Sequence, residues 1–167
     1  MVQVGDIAPD FSLKATWAER RSSVAVDDVP SKDHQIVTLS EFRGKKNVIL
    51  LFYPLDWSPV CSAEHKKCTL MFPRVPTEKI QVLGISVDSI WSHNAFAQNY
   101  GIPYPLLSDF QPRGAVAERY GVYMSDLGIA SRTAFVIDRA GVVRDVTHAN
   151  VPDEREIEEI LHRADLV

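Results

Sequence analysis

The stretch NVILLFYPLDWSPVCSAEH, residues 47–65, indicates the class of fold that this chain adopts. Its first part, residues 47–53, is a continuous apolar run that stops at Pro54. Such runs are typical of strands that are buried on both faces of a sheet, as the central strands of α/β proteins are. Residues 82–87 and 133–137 have the same character, so the sequence predicts at least three central strands.

Helical stretches are predicted between these strands, over residues 60–71, 91–100 and 113–120. Gly101 and Gly121 follow the last two of them, and glycine is common just after a helix C-terminus because it adopts the left-handed conformation without strain. Strands that alternate with helices predict an α/β fold, with a central sheet flanked by helices.

Three other segments complete the predicted order. A turn at Gly141 leads into a further strand over residues 142–146, and a last helix is expected to start near residues 152–154, where proline and acidic residues suit a first turn. Residues 19–35 are polar, contain Pro30 and show no period, so they are predicted to form a surface loop.

Composition limits the functional classes. The chain has 167 residues, which suits a single domain over residues 1–167. Its net charge is −4 with no run of Lys or Arg, which argues against nucleic acid or an anionic membrane surface as a partner. The longest apolar run, residues 48–53, is too short to span a bilayer, and no secretory signal is visible, so we expect a cytoplasmic protein.

Cys61 is the candidate nucleophile. A predicted strand ends, a loop containing Pro54 and Pro59 turns the chain, and Cys61 comes at the start of a helix. The first backbone amides of a helix lack partners and the helix dipole is positive there, so a thiolate is stabilised at this point. The thiolate is the reactive form of cysteine, whereas a buried apolar cysteine is the structural alternative.

Residues 53–64 resemble the active-site pattern of the peroxiredoxins, Pro-x-x-x-Thr/Ser-x-x-Cys. The resemblance continues through residues 84–89, 92–93, 105–109 and 128–138, in the order of the family. It therefore covers most of the chain. It implies a thioredoxin-like fold with a central mixed sheet, and the activity of a thiol-dependent peroxidase without metal, haem or flavin.

The same resemblance implies roles for five residues. Cys61 matches the nucleophile that attacks the peroxide, and Pro54 matches the proline that shields it. Ser58 matches the hydroxyl that binds the peroxide. Arg132 matches the arginine that stabilises the thiolate and the departing oxygen, and Glu64 matches an acidic residue that orients this arginine. Without the family, each has an ordinary alternative: Ser58 and Glu64 as helix caps, Arg132 as a surface residue and Pro54 as a strand end.

Cys68 determines which subtype is expected. It lies seven residues after Cys61, roughly 10 Å along a regular helix, whereas a disulfide needs Cα atoms within about 7 Å. A disulfide with Cys61 would require the helix to unwind locally, so Cys68 stays open as a resolving cysteine. The resemblance favours a buried core cysteine, because the family usually has a large apolar residue at this position, and this implies a one-cysteine-like or bacterioferritin-comigratory-protein-like branch. An external thiol, from thioredoxin, glutaredoxin or a small molecule, is then expected to reduce the sulfenic acid of Cys61.

Other functions stay open at this level. Cys61, His65 and Cys68 share one helix face and form a possible zinc site, although no second pair of ligands exists. A disulfide oxidoreductase needs C-x-x-C, which is absent. A peroxide sensor or a holdase shares the first chemical step with a peroxidase. Trp57, beside the predicted active site, suits a subunit interface, so we expect a homodimer.

Overall fold

The computed structural model describes residues 1–16, 35–150, 153 and 155–167. The loop predicted over residues 19–35 lies outside the described residues, except for Gln35, which begins a strand. The strands are β1 Ser12–Ala15, β2 Gln35–Thr38, β3 Asn47–Phe52, β4 Ile80–Ser86, β5 Leu106–Ser108, β6 Tyr123–Met124, β7 Ile129–Ala130, β8 Arg132–Ile137 and β9 Val143–Ala149. The helices are α1 Pro59–Met71, α2 Ile90–Tyr100, α3 Ala115–Tyr120 and α4 Ile157–Asp165.

Seven of these strands form one mixed sheet in the order β2-β1-β5-β4-β3-β8-β9. The strand β3 is parallel to β4 and antiparallel to β8, and β4 is parallel to β5. The outer pairs β1–β2 and β8–β9 are antiparallel. The predicted central mixed sheet flanked by helices is confirmed.

The apolar run that predicted β3 is continuous because both of its faces are covered. All six residues of β3 are buried. Val48, Leu50 and Phe52 point into a core that also contains residues of α3. Ile49 and Leu51 point into a second core, to which α1, α2 and α4 contribute. Among the described residues, one helix therefore covers one face of the sheet and three helices cover the other.

Two helices start later than predicted, by two residues or more. The helix α3 begins at Ala115 and not at Arg113, because Gly114 adopts a left-handed conformation, with φ 72°, that a helix excludes. The helix α4 begins at Ile157, later than the expected start near residues 152–154. Arg155 is buried and bonded to a side chain of α1, which holds it outside the helix. The strand β9 extends to Ala149, three residues beyond the prediction.

None of the helices in the described ranges is long and apolar enough to cross a membrane.

Candidate active site

Cys61 lies where the central strand passes into the first long helix. A short loop, residues 53–58, follows β3, and Pro59 then occupies the first position of α1. Proline is favoured there because its fixed φ suits the helix and its missing N–H is not needed. Cys61 is the third residue of α1, and it is fully buried against the sheet. The predicted position of this cysteine in the first turn of a helix is observed.

Arg132 lies beside this cysteine because β8 runs antiparallel to β3. Its neighbour Thr133 pairs with Phe52, the last residue of β3, so Arg132 reaches the point where the Cys61 loop begins. The Arg132 Nη2 atom donates a hydrogen bond to the Cys61 Sγ atom over 3.4 Å. The guanidinium group is buried, with 1% of the residue exposed. A cation in this position favours negative charge on the sulfur.

Glu64, one turn further along α1, joins Arg132 to a second arginine. Arg132 Nη1 donates to Glu64 Oε2 over 2.9 Å. Arg155 Nε and Nη2 donate to the two oxygens of the same carboxylate, each over 2.7 Å. Burial raises the pKa of Glu64, but the charges and hydrogen bonds of Arg155 and Arg132 outweigh it and lower this pKa to about 2. The carboxylate is therefore ionised, and it accepts hydrogen bonds from the two arginines instead of closing a capping box.

Arg155 is a member of the site that the sequence analysis missed. It is fully buried, and its Nη1 donates to the carbonyl oxygen of Phe52 over 3.0 Å, at the end of β3. The carboxylate of Glu64 therefore joins Arg155 to Arg132, beside Cys61. No local pattern identifies Arg155, because it stands among acidic residues that are typical of an exposed helix start.

Pro54 and Ser58 lie on the loop that leads to Cys61. Pro54 is buried directly after Tyr53. Ser58 is half-buried at the N-cap position of α1, but within the described residues its side chain makes no capping hydrogen bond. The structure therefore brings Cys61, Glu64 and Arg132 into direct contact and places the other two predicted residues on the adjoining loop.

Trp57, on the same loop, is both packed and exposed. Its ring meets Phe96 at a centroid distance of 5.3 Å and Tyr100 at 6.3 Å, both on α2. About half of the residue, 49%, is still exposed. Its φ of 63° is left-handed, which is unusual for a bulky residue and has to be held by surrounding contacts.

Cys68 has different surroundings at the other end of α1. It is buried in the core between the sheet and α4, and burial raises the pKa of its thiol to about 12. Its neighbour His65 forms a hydrogen bond between Nδ1 and the Tyr104 hydroxyl over 2.8 Å. Burial lowers the pKa of His65 to about 3, so the ring is neutral.

The two cysteines are both free, and α1 continues through both of them. Throughout the described part of the chain, no group of three His, Cys, Asp or Glu residues is placed to hold a metal ion. Cys61, His65 and Cys68 all belong to that part, so the zinc alternative is not supported by their geometry.

Comparison with known proteins identifies the family. The model of the AhpC/TSA family matches residues 4–146. Alkyl hydroperoxide reductase E of Mycobacterium tuberculosis is 38% identical over 144 residues, which are 86% of this chain and 84% of the relative. The chloroplastic 2-Cys peroxiredoxin BAS1 of Hordeum vulgare is 34% identical over 165 residues, covering 95% of this chain and 71% of the relative.

Solved structures agree with this result. The reduced 2-Cys peroxiredoxin of Plasmodium vivax superimposes with a TM-score of 0.81 at 30% identity, over 97% of this chain and 80% of that one. AhpC of Mycobacterium tuberculosis superimposes with a TM-score of 0.84 at 25% identity, over 99% of this chain and 92% of that one. The protein belongs to the AhpC/TSA family, and the resemblance to peroxiredoxins and the thioredoxin-like fold are confirmed.

Proposed function

We propose that this protein is a thiol-dependent peroxidase that reduces hydrogen peroxide or organic hydroperoxides at Cys61. The observation that carries the proposal is the hydrogen bond from the buried Arg132 to the Cys61 sulfur, 3.4 Å long. Arg132 is joined through the Glu64 carboxylate to a second buried arginine, Arg155, so two guanidinium groups lie near this sulfur. This arrangement suits attack by a thiolate.

In the proposed reaction, the Cys61 thiolate attacks one oxygen of the hydroperoxide. The S–O bond forms as the O–O bond breaks, and the other oxygen leaves with the electron pair and takes up a proton, giving water or an alcohol. Cys61 becomes a sulfenic acid. Arg132 stabilises the charge that grows on the leaving oxygen, the Ser58 hydroxyl binds the peroxide, and Pro54 shields the sulfur.

An external thiol completes the proposed cycle. It attacks the Cys61 sulfenic acid, water leaves, and a second thiol then reduces the mixed disulfide. Cys68 is unsuited to this task, because a continuous helix holds the two cysteines roughly 10 Å apart along its axis. Thioredoxin, glutaredoxin and small thiols are the reductants we propose for this step.

Domain, assembly and location complete the proposal. One sheet with strands from residues 12 to 149 supports a single domain over residues 1–167. The half-exposed Trp57 supports a homodimer. The relatives named above include bacterial and chloroplastic proteins, and a cytoplasmic location stays a prediction.

The test is the mass of the intact protein after one equivalent of hydrogen peroxide, with and without a reagent that traps sulfenic acids. We expect a single trapped adduct in the wild type and in Cys68→Ser, and none in Cys61→Ser. Dithiothreitol then restores the reduced mass and sustains peroxide consumption. If the wild type loses the mass of two hydrogens and only Cys68→Ser gives the trapped adduct, Cys68 is the resolving residue. If the wild type does not react with hydrogen peroxide, the proposed peroxidase function is refuted.

A further inference from the structure

A second buried cluster, distinct from the arginines, surrounds the side chain of Asp56 in the loop before Cys61. The Asp56 carboxylate accepts hydrogen bonds from the Tyr53 hydroxyl and from the Ser92 hydroxyl, each over 2.8 Å. His93 Nδ1 lies 2.9 Å from one of its oxygens, and neither side chain is exposed. Since Ser92 and His93 belong to α2, this carboxylate ties the loop to a neighbouring helix.

The geometry at His93 requires a proton between the two side chains. His93 Nε2 lies 3.1 Å from the carbonyl oxygen of Leu107, which only accepts, so Nε2 carries a hydrogen. Nδ1 faces the Asp56 carboxylate at 2.9 and 3.1 Å, where two lone pairs repel each other unless a proton lies between them. Burial raises the pKa of Asp56, but the hydrogen bond and charge of His93 outweigh it and lower this pKa.

The backbone of Asp56 is held as well. Its N–H donates to Asp88 Oδ2 over 2.9 Å, and the Ser86 hydroxyl donates to the same oxygen over 2.6 Å. The next residue, Trp57, has the left-handed φ of 63°. A strained conformation of this kind persists only where its surroundings hold it, and Asp56 supplies contacts directly before it.

From these contacts we infer that Asp56 and His93 are positioning residues for the peroxidase reaction, because their hydrogen bond holds the loop that presents Ser58 to Cys61. The inference rests on the proposed function, since it concerns the rate of that reaction. A buried ion pair is a poor source of stability, because apolar residues of similar volume often do as well or better. What the pair supplies is a fixed conformation of the loop at Asp56, two residues before Ser58.

The experiment measures the rate constant for Cys61 oxidation by hydrogen peroxide in a single turnover of the reduced full chain. Asp56→Ala and Asp56→Asn are each made with Ser58 present and with Ser58→Ala. Asparagine keeps a hydrogen bond in place, since its amide donates to Nδ1 of a neutral His93 and its oxygen accepts from Tyr53. Alanine removes every one of these contacts.

With Ser58 present, we expect Asp56→Ala to lower the rate constant about 10- to 100-fold, as a misplaced reacting group does. With Ser58→Ala, the same change is expected to cost no more than about two-fold, because the two residues act as a unit. Asp56→Asn is expected to stay within about two-fold of the parent in both backgrounds. A loss from Asp56→Ala that is equal in both backgrounds overturns the inference, and so does an Asp56→Asn variant as slow as the alanine.

Asn47→Ala serves as the matched control for lost stability. The Asn47 side chain is buried at the opposite end of β3, where it donates to the carbonyl oxygens of Ala164 and Val167. We expect it to lower the melting temperature and to leave the rate unchanged. Equal slowing in this control overturns the inference. If Asp56→Ala does not fold, His93→Ala replaces it as the variant that removes the contact, and His93→Gln, which still donates to Asp56, replaces Asp56→Asn; both are compared in the same two backgrounds under the same criteria.

Failure of the proposed function is a separate outcome. In that case the wild type itself forms no sulfenic acid at Cys61, whatever stands at position 56. If the wild type reacts, but Asp56→Ala lowers the rate constant equally with Ser58 and with Ser58→Ala, only the role of Asp56 and His93 is refuted.

Discussion

The two ends of α1 hold the two cysteines of this chain in opposite surroundings. Cys61 and Cys68 are both buried, both free and both on the same helix. Cys61 accepts a hydrogen bond from Arg132, which is joined through Glu64 to a second buried arginine, Arg155. Cys68 lies against apolar residues of the sheet and α4, and burial raises the pKa of its thiol to about 12.

The two cysteines therefore share burial and differ in what lies beside the sulfur. A guanidinium donor contacts Cys61, whereas mainly apolar side chains surround Cys68. At Cys61 the interior contains two arginines and one carboxylate, whereas His65, near Cys68, is neutral because burial lowers its pKa to about 3. Three predictions test this contrast, two at the charged end of the helix and one at the apolar end.

The largest effect is expected from Glu64→Gln. The variant removes the carboxylate that Arg132 and Arg155 share, and removing one partner of such a buried cluster costs about 3–5 kcal/mol in the free energy of unfolding. Urea unfolding measures this loss. The matched control is Glu158→Gln, because Glu158 is exposed and pairs with an exposed Arg74, so a change within about 0.5 kcal/mol is expected. Equal losses in the two variants contradict the charge cluster.

Arg132→Ala is expected to have the next largest effect, on rate. Loss of a donor aimed at the growing charge lowers the rate constant of Cys61 oxidation about 10²- to 10³-fold. Arg132→Lys keeps the positive charge but lacks the planar guanidinium with its several N–H donors. Its rate constant is expected to fall between those of the alanine variant and the wild type. Stopped-flow measurement with hydrogen peroxide gives both constants. An alanine variant as fast as the wild type shows that the cation is not needed for the reaction.

The smallest effect concerns His65 and the stability at mild acid. Its folded pKa of about 3 lies below the ordinary value of 6.5, so the unfolded chain binds the proton first and stability falls as pH drops below 6.5. Between pH 7 and pH 5 the wild type is expected to lose about 2 kcal/mol more than His65→Leu. Glu64 is present in both proteins, so the stability it loses as the pH falls toward and below its ordinary value of 4.5 cancels from this comparison. Urea unfolding at the two pH values measures the difference, and equal losses of unfolding free energy in the two proteins refute it.

Much of the fold was predictable because its signals are local. The continuous apolar run before Pro54 indicates a strand covered on both faces, and glycines at 101 and 121 follow two helices as predicted. The helix start at Cys61 and the segment around Arg132 were recognisable for the same reason. The late start of α4 was not, since it depends on a contact between Arg155 and Glu64, which are 91 residues apart in sequence.

The sequence by itself determined the mixed α/β class, the family and the cysteine at the start of a helix. Only the tertiary structure showed that Arg155 is inside, that Asp56 meets His93, and that Cys68 faces apolar side chains. Hydrophobic periodicity is a property of neighbouring residues and can be read along the chain. A charged residue, in contrast, has the same letter on the surface and in the core, and its depth depends on partners that the fold brings from distant segments.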